Sequence, residues 1–165
     1  MIKELEVNSL TNISFADYGH LISNENIEPT MEESTFTFWD NMAEMNIERK
    51  TGFGILEVNK RSKDFTNLER HVKTEEIFFA LDEDVVVLVG KATPNQEVPD
   101  IETVKAFKLE KGKGIFLFMG TWHWLPYPLA EKARLLVVFQ QGTVDYDLEI
   151  KDLKKLKGVT FSIEI

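Results

Sequence analysis

Residues 76–92 read EIFFALDEDVVVLVGKA: two apolar runs, Ile77–Leu81 and Val85–Val89, divided by the acidic triplet Asp82-Glu83-Asp84. Each run has the length of a strand and is too short for a helix, and turn residues bound both, so the stretch predicts two strands joined by a turn. Neither run alternates with polar residues, which predicts central strands buried on both faces. Comparable segments lie on either side: FTFW at 36–39, GFGILEVNK at 52–60, VKAFKLE at 104–110, GKGIFLFMG at 112–120 and RLLVVFQQG at 134–142. Six or more short strands at roughly ten-residue spacing indicate an all-β sandwich or barrel and not βαβ units. Helix is expected only in short pieces. One is before Gly19, capped by Thr11, Asn12 or Ser14; one is around Asn41–Ile47; and a turn lies near Lys151–Leu156.

At 165 residues the chain fits one domain, 1–165, with a core of its own. Hydrophobic residues make up 43%, which excludes disorder, and 12 Phe supply bulky rings for packed sheets or a lined cavity. Cysteine is absent, so disulfides and thiolate metal sites are excluded and any metal must sit on His, Asp or Glu. The net charge of −9 argues against a nucleic-acid partner. The lysine-rich KDLKKLKG, interleaved with Leu153 and Leu156, reads as a solvated helical turn. MIKELEVNSL lacks the features of a signal peptide, and no run is apolar enough to span a membrane; a cytoplasmic protein is expected.

Histidine occurs three times, at His20, His71 and His123. Glu69 and His71 are two apart, so on a strand both point to one face, whereas Arg70 points away. VKT supplies a turn, and Glu76 opens the next strand. His123 follows Gly120, where a tight bend can turn the imidazole back into a barrel. His71, Glu76 and His123, with Glu69 as a fourth donor, suit Zn, Mn, Fe or Ni with positions left open for substrate. Alternatively the same residues work without metal, with His as general base and a desolvated Glu as general acid. Against both stands a plainer reading, in which Glu69 and Arg70 form a strand-edge ion pair and the histidines are ordinary surface or core residues. His20, after Tyr18 and Gly19, reads as a surface position. Trp122, Trp124 and Tyr127 flank His123 and either cover the mouth of the site or anchor an interface.

HVKTEE at 71–76, followed by an apolar strand and then GIFLFMGTWH at 114–123, resembles the two halves of the cupin signature. FADYGHLI at 15–22, FWDNMA at 38–43, LERH at 68–71, PD at 99–100, AF at 106–107, TWH at 121–123 and a closing stretch around Gly142 and Asp147 are similar to the ureidoglycolate lyase family of cupins. The resemblance implies a double-stranded β-helix, a jelly-roll barrel with one or two short helices, assembled as a homodimer. It implies cleavage of ureidoglycolate to glyoxylate and urea, in allantoin and purine nitrogen catabolism. His71 and His123 would then be the proton-transfer pair, with Glu76 orienting one of them or holding a metal. Glu69, Trp122, Trp124, Tyr127 and Gln140 would meet the substrate.

The chain departs from the family pattern at four places. Val72 stands for a Pro, Glu76 for a Gln, Trp124 for a His, and Gln140-Gln141-Gly142 for Arg-Gly-Gly. The site is thereby more acidic, which disfavours an anionic substrate unless a cation is bound. Two other readings follow from these departures. One is a metal-dependent cupin isomerase, epimerase or dioxygenase acting on a sugar or hydroxy acid; the other is a non-catalytic cupin that holds a small ligand.

Overall fold

The computed structural model describes residues 1–165. At the amino-terminal end run β1 (Ile2–Ser9), β2 (Gly19–Ile22), β3 (Met31–Glu33), β4 (Phe36–Phe38) and β5 (Thr51–Asn59). There follow β6 (Asp64–Phe65), β7 (Asn67–Arg70), β8 (Glu76–Ala80), β9 (Val85–Gly90), β10 (Lys105–Leu109) and β11 (Gly114–Leu117). The chain closes with β12 (Trp122–His123), β13 (Tyr127–Pro128), β14 (Lys132–Gln140), α1 (Thr143–Tyr146), β15 (Glu149–Asp152), α2 (Leu153–Lys157) and β16 (Thr160–Glu164). The all-β expectation holds, with two short helices.

Five strands form one sheet in the order β2-β11-β8-β14-β5. A larger sheet runs β15-β7-β12-β9-β10-β1-β16-β6, with β13 also pairing with β9. Pairing is antiparallel except where β1 lies parallel to β10 and β16. Between the two sheets lies a core that includes Phe78, Val85, Val87, Val89, Phe107, Ile115, Leu117, Leu135 and Val137. A second core covers the outer face of the larger sheet and includes Leu68, Val86, Leu88, Trp122, Tyr127 and Phe161. Strand β9 therefore sends alternate residues into two cores, which is why its sequence shows no polar alternation.

Two of the expected helices are not formed. Residues 41–47 form neither helix nor strand: Asn41 has φ 55, Met42 lies in a bend, and beyond it Met45 and Ile47 are half-buried between exposed neighbours, a spacing of two that does not suit a helix. The Asn46 N–H donates to Glu75 Oε2 at 2.8 Å, fastening the segment to the barrel. Residues 12–18 are a succession of turns. Thr11 and Ser14 cap each other, and Asn12 Oδ1 accepts from Leu21 N at 2.8 Å, so the capping groups are spent on a turn. The turn near Lys151–Leu156 is α2, begun by the Asp152 carboxylate accepting from Lys155 N and ended at Gly158. No helix is long and apolar enough to cross a membrane.

Candidate active site

Strands β7 and β12 lie side by side with Glu69 directly opposite His123. Alternation sends Leu68 and Trp122 into the outer core and leaves Glu69 and His123 facing the barrel interior. His71 follows on the same side as Glu69. Gly120 has φ 81, a left-handed backbone that favours glycine, and its N–H donates to the His71 carbonyl at 2.7 Å. The bend that presents His123 is thus tied to His71. Glu76 enters from the other sheet, at the start of β8, so the cluster forms only where the two sheets face each other.

In the cluster, Glu76 Oε2 lies 3.0 Å from His123 Nε2 and 3.7 Å from His71 Nε2, while Glu69 Oε1 is 3.7 Å from His123 Nε2. The Nδ1 of His71 is 2.6 Å from the Asp147 carbonyl, and that of His123 is 3.0 Å from the Thr121 carbonyl. A carbonyl only accepts, so each Nδ1 carries a proton and Nε2 is the ring atom turned into the cluster. Asp147 acts twice on this side. Its carboxylate also accepts from Val72 N at 2.9 Å and Lys73 N at 2.8 Å, holding the turn that leaves His71.

Lone pairs and carboxylate oxygens at such distances repel unless a proton or a cation lies between them. Glu76 Oε2 and His123 Nε2 are buried without an aligned hydrogen-bond partner. Burial disfavours a charged His123, yet Glu76 and then Glu69 outweigh it and hold the imidazole pKa up at about 9. Burial pushes the Glu69 carboxyl above the usual range, against the pull of His123 and His71. Glu69, His71 and His123 each offer one donor atom, all within 4.8 Å of one another, a set that could hold a metal ion. Two imidazole nitrogens and a carboxylate, with both histidines oriented by carbonyls and two buried atoms left orphaned, fit a divalent cation of the borderline kind. The geometric triad takes Glu69 where the sequence pattern favours Glu76, and Glu76 stands beside it.

Above the cluster opens a cleft of about 350 Å³ lined by Glu69, His71 and Glu76 and by Gly54, Leu56, Phe78, Val137 and Phe139, with Leu125, Val144 and Leu148 towards the mouth. The expected substrate contacts from the aromatic segment are not there. Trp122 and Tyr127 are buried in the outer core and Trp124 packs against it, because alternation along β12 turns one face of the segment away from His123. Gln140 lines a neighbouring notch, where its Nε2 donates to Tyr146 Oη at 2.6 Å. His20 lies apart, against Phe116 and Phe118. Two contributors were missed by residue type. Asp147, named in the sequence only as part of the closing stretch and given no role there, acts on His71 across 76 residues of chain. Gly54 had a signal, a glycine inside a strand.

Arg70 faces outward and serves the scaffold. Its Nε donates to Glu149 Oε2 at 2.7 Å, its Nη1 donates to the carbonyls of Thr93 and Gln96, and the guanidinium lies 4.5 Å from the Trp122 ring centroid. Arg70→Ala is expected to cost about 2–3 kcal/mol from lost charge-assisted bonds and stacking. Glu149 keeps Lys151 at 2.9 Å and is not stranded. A lowered melting temperature with an unchanged KM is the expected result, and a changed KM at normal stability would place Arg70 at the site.

A family model described as ureidoglycolate lyase matches residues 2–159. Similar solved structures include oxalate decarboxylase from Bacillus subtilis at pH 4.6, 13% identical with a TM-score of 0.44. Another is the Bacillus subtilis oxalate decarboxylase studied for its Mn(II) centres, 13% identical with a TM-score of 0.43. Each match covers 66% of this chain and 25% of the other, so the chain spans a quarter of the length of those proteins. No curated protein matches.

Proposed function

Because this chain belongs to the ureidoglycolate lyase family of cupins, we propose that it splits ureidoglycolate, or a closely related α-hydroxyglycine derivative, into glyoxylate and the departing urea or amide. The observation that carries this reading is the convergence of His71 and His123, from the LERH and TWH motifs, on Glu69 and Glu76, with His71 and both carboxylates lining the cleft. Such a reaction belongs to purine nitrogen catabolism through allantoin.

The substrate carbon bears both a hydroxyl and an amide nitrogen, and elimination needs one proton removed and one delivered. Glu69, His71 and His123 would hold a divalent cation, which when bound polarises the carbinol oxygen and anchors the substrate carboxylate. No Lys or Arg lines the cleft, so the chain provides no fixed cation of its own for that carboxylate. Glu76 is left for the proton. Its Oε2 is buried and unpartnered beside both histidines. It takes the hydroxyl proton as the carbonyl forms and returns it to the nitrogen as the C–N bond breaks. Asp147 keeps His71 in the tautomer that presents Nε2. The surrounding Phe78, Val137 and Phe139 exclude water and strengthen each of these interactions.

The metal is one of Zn, Mn, Fe or Ni on its donor set. The chain acts as one cupin-like unit over 1–165 in the cytoplasm, without nucleic-acid or membrane partners. A homodimer is part of the same reading; the exposed Phe53 and Ile55 on the edge strand β5 supply apolar surface for it.

The deciding experiment measures metal per chain in the purified protein, before and after chelation, with glyoxylate release from ureidoglycolate assayed in both states. About one ion per chain, with release lost on chelation and restored by the metal, is the expected result. Release that persists without metal would move the proton transfers to His71 and His123. Metal without any release would point to another cupin reaction on a hydroxy acid or sugar.

A further inference from the structure

Resting on the lyase reading above, we propose that the preferred substrate is an α-hydroxyglycine whose nitrogen carries an apolar acyl group, and that Gly54 is the residue that makes room for that group. Gly54 lies on the inward face of β5, in line with half-buried Leu56 and buried Val58, and pairs with Val137 of β14. A Cβ built there would meet nothing within 4 Å, and its backbone is not in the left-handed region, so neither crowding nor conformation requires glycine. Glycine inside a strand weakens it, and the position it occupies here opens onto the cleft. What the missing side chain leaves is a space walled by Leu56, Val137 and Phe139 beside the Glu69–His71 cluster.

Ureidoglycolate is small and polar from end to end and has nothing to place against such walls. The cleft, at about 350 Å³, falls within the roughly 300–1,000 Å³ of sites that take larger ligands. An acyl group on the nitrogen points away from the reacting carbon, so it reaches the apolar side while the hydroxyl and carboxylate stay at the cluster. The bond broken is the same. The hydroxyl proton leaves, the aldehyde carbonyl forms, the C–N bond breaks and the nitrogen takes up a proton, giving glyoxylate and a primary amide with no change in oxidation state.

The test compares ureidoglycolate with N-benzoyl-α-hydroxyglycine, following glyoxylate and, for the second compound, benzamide. In the natural protein kcat/KM is expected to favour the benzoyl compound by at least about tenfold. Gly54→Val should move that ratio back by at least about tenfold, with Gly54→Ala between. N-Benzoylglycine, which lacks the reacting hydroxyl, should bind the natural protein by calorimetry and lose about tenfold in affinity in Gly54→Val. A preference for ureidoglycolate, or a ratio that Gly54→Val leaves in place, overturns the substrate assignment and leaves the lyase reading standing. Glyoxylate from neither compound overturns the lyase reading and this inference with it.

Discussion

His123→Ala is expected to lower kcat/KM for glyoxylate release by about 10³-fold or more and to remove bound metal, while the protein stays folded. The imidazole is buried, its Nε2 lies within 3.7 Å of both carboxylates, and its Nδ1 is already committed to a backbone carbonyl. Alanine therefore removes a donor that no neighbour can replace and leaves Glu69 and Glu76 facing each other without the charge between them. The barrel should survive, because its core is drawn chiefly from β8, β9, β10, β11 and β14. Far-UV circular dichroism and metal content, measured on the same samples, separate loss of the site from loss of the fold. His123→Gln keeps the volume and provides the check if alanine proves unstable. Full activity in both variants would remove His123 from the mechanism.

Glu76→Gln should act on protons and cations together. Glu76 is the strongest of the groups that hold His123 up at about 9 against burial. With a neutral amide there, only Glu69 and the Thr121 carbonyl remain to oppose burial, and the His123 pKa should fall. The sign for stability follows. A histidine whose folded pKa is raised stabilises the fold fully below its unfolded value, and that contribution is lost as pH rises through the folded value. The metal-free natural protein should therefore lose melting temperature between pH 6.5 and about 9, and Glu76→Gln should flatten that slope. A cation must displace the same proton, so its affinity for the natural protein should climb across this window, and the variant should bind it about 10–100-fold more weakly. Turnover should fall as well if Glu76 carries the proton. Retained turnover in Glu76→Gln, which restores the family residue, would assign proton transfer to the histidines. NMR titration of His123 reads the shift directly, and an unmoved titration would break the electrostatic account.

Much of the site was legible because strand alternation is a local rule. Glu69 and His71 on one face, with Arg70 on the other, follow from spacing alone. The same rule, carried one strand further, would have turned Trp122 away from His123, but β12 is only two residues long and its register comes from β7 and β9. In the segment 41–47 no run of neighbours decides between helix and coil, and its course is set by Asn46 donating to Glu75 across the chain. Trp124 and Gln140 stand where the family has other residues, and the structure turns both out of the cleft.

By itself the sequence determined that the chain is all-β, that Val85–Val89 is buried on both faces, and which face of β7 carries the acid and the imidazole. Those properties depend on neighbours along the chain, whose spacing is visible. Only the tertiary structure decided that Glu76 meets His123, that Asp147 sets the tautomer of His71, and that Gly54 faces open space. Each of these joins residues of different elements, some of them in opposite sheets, and no local period encodes how two curled sheets close on each other.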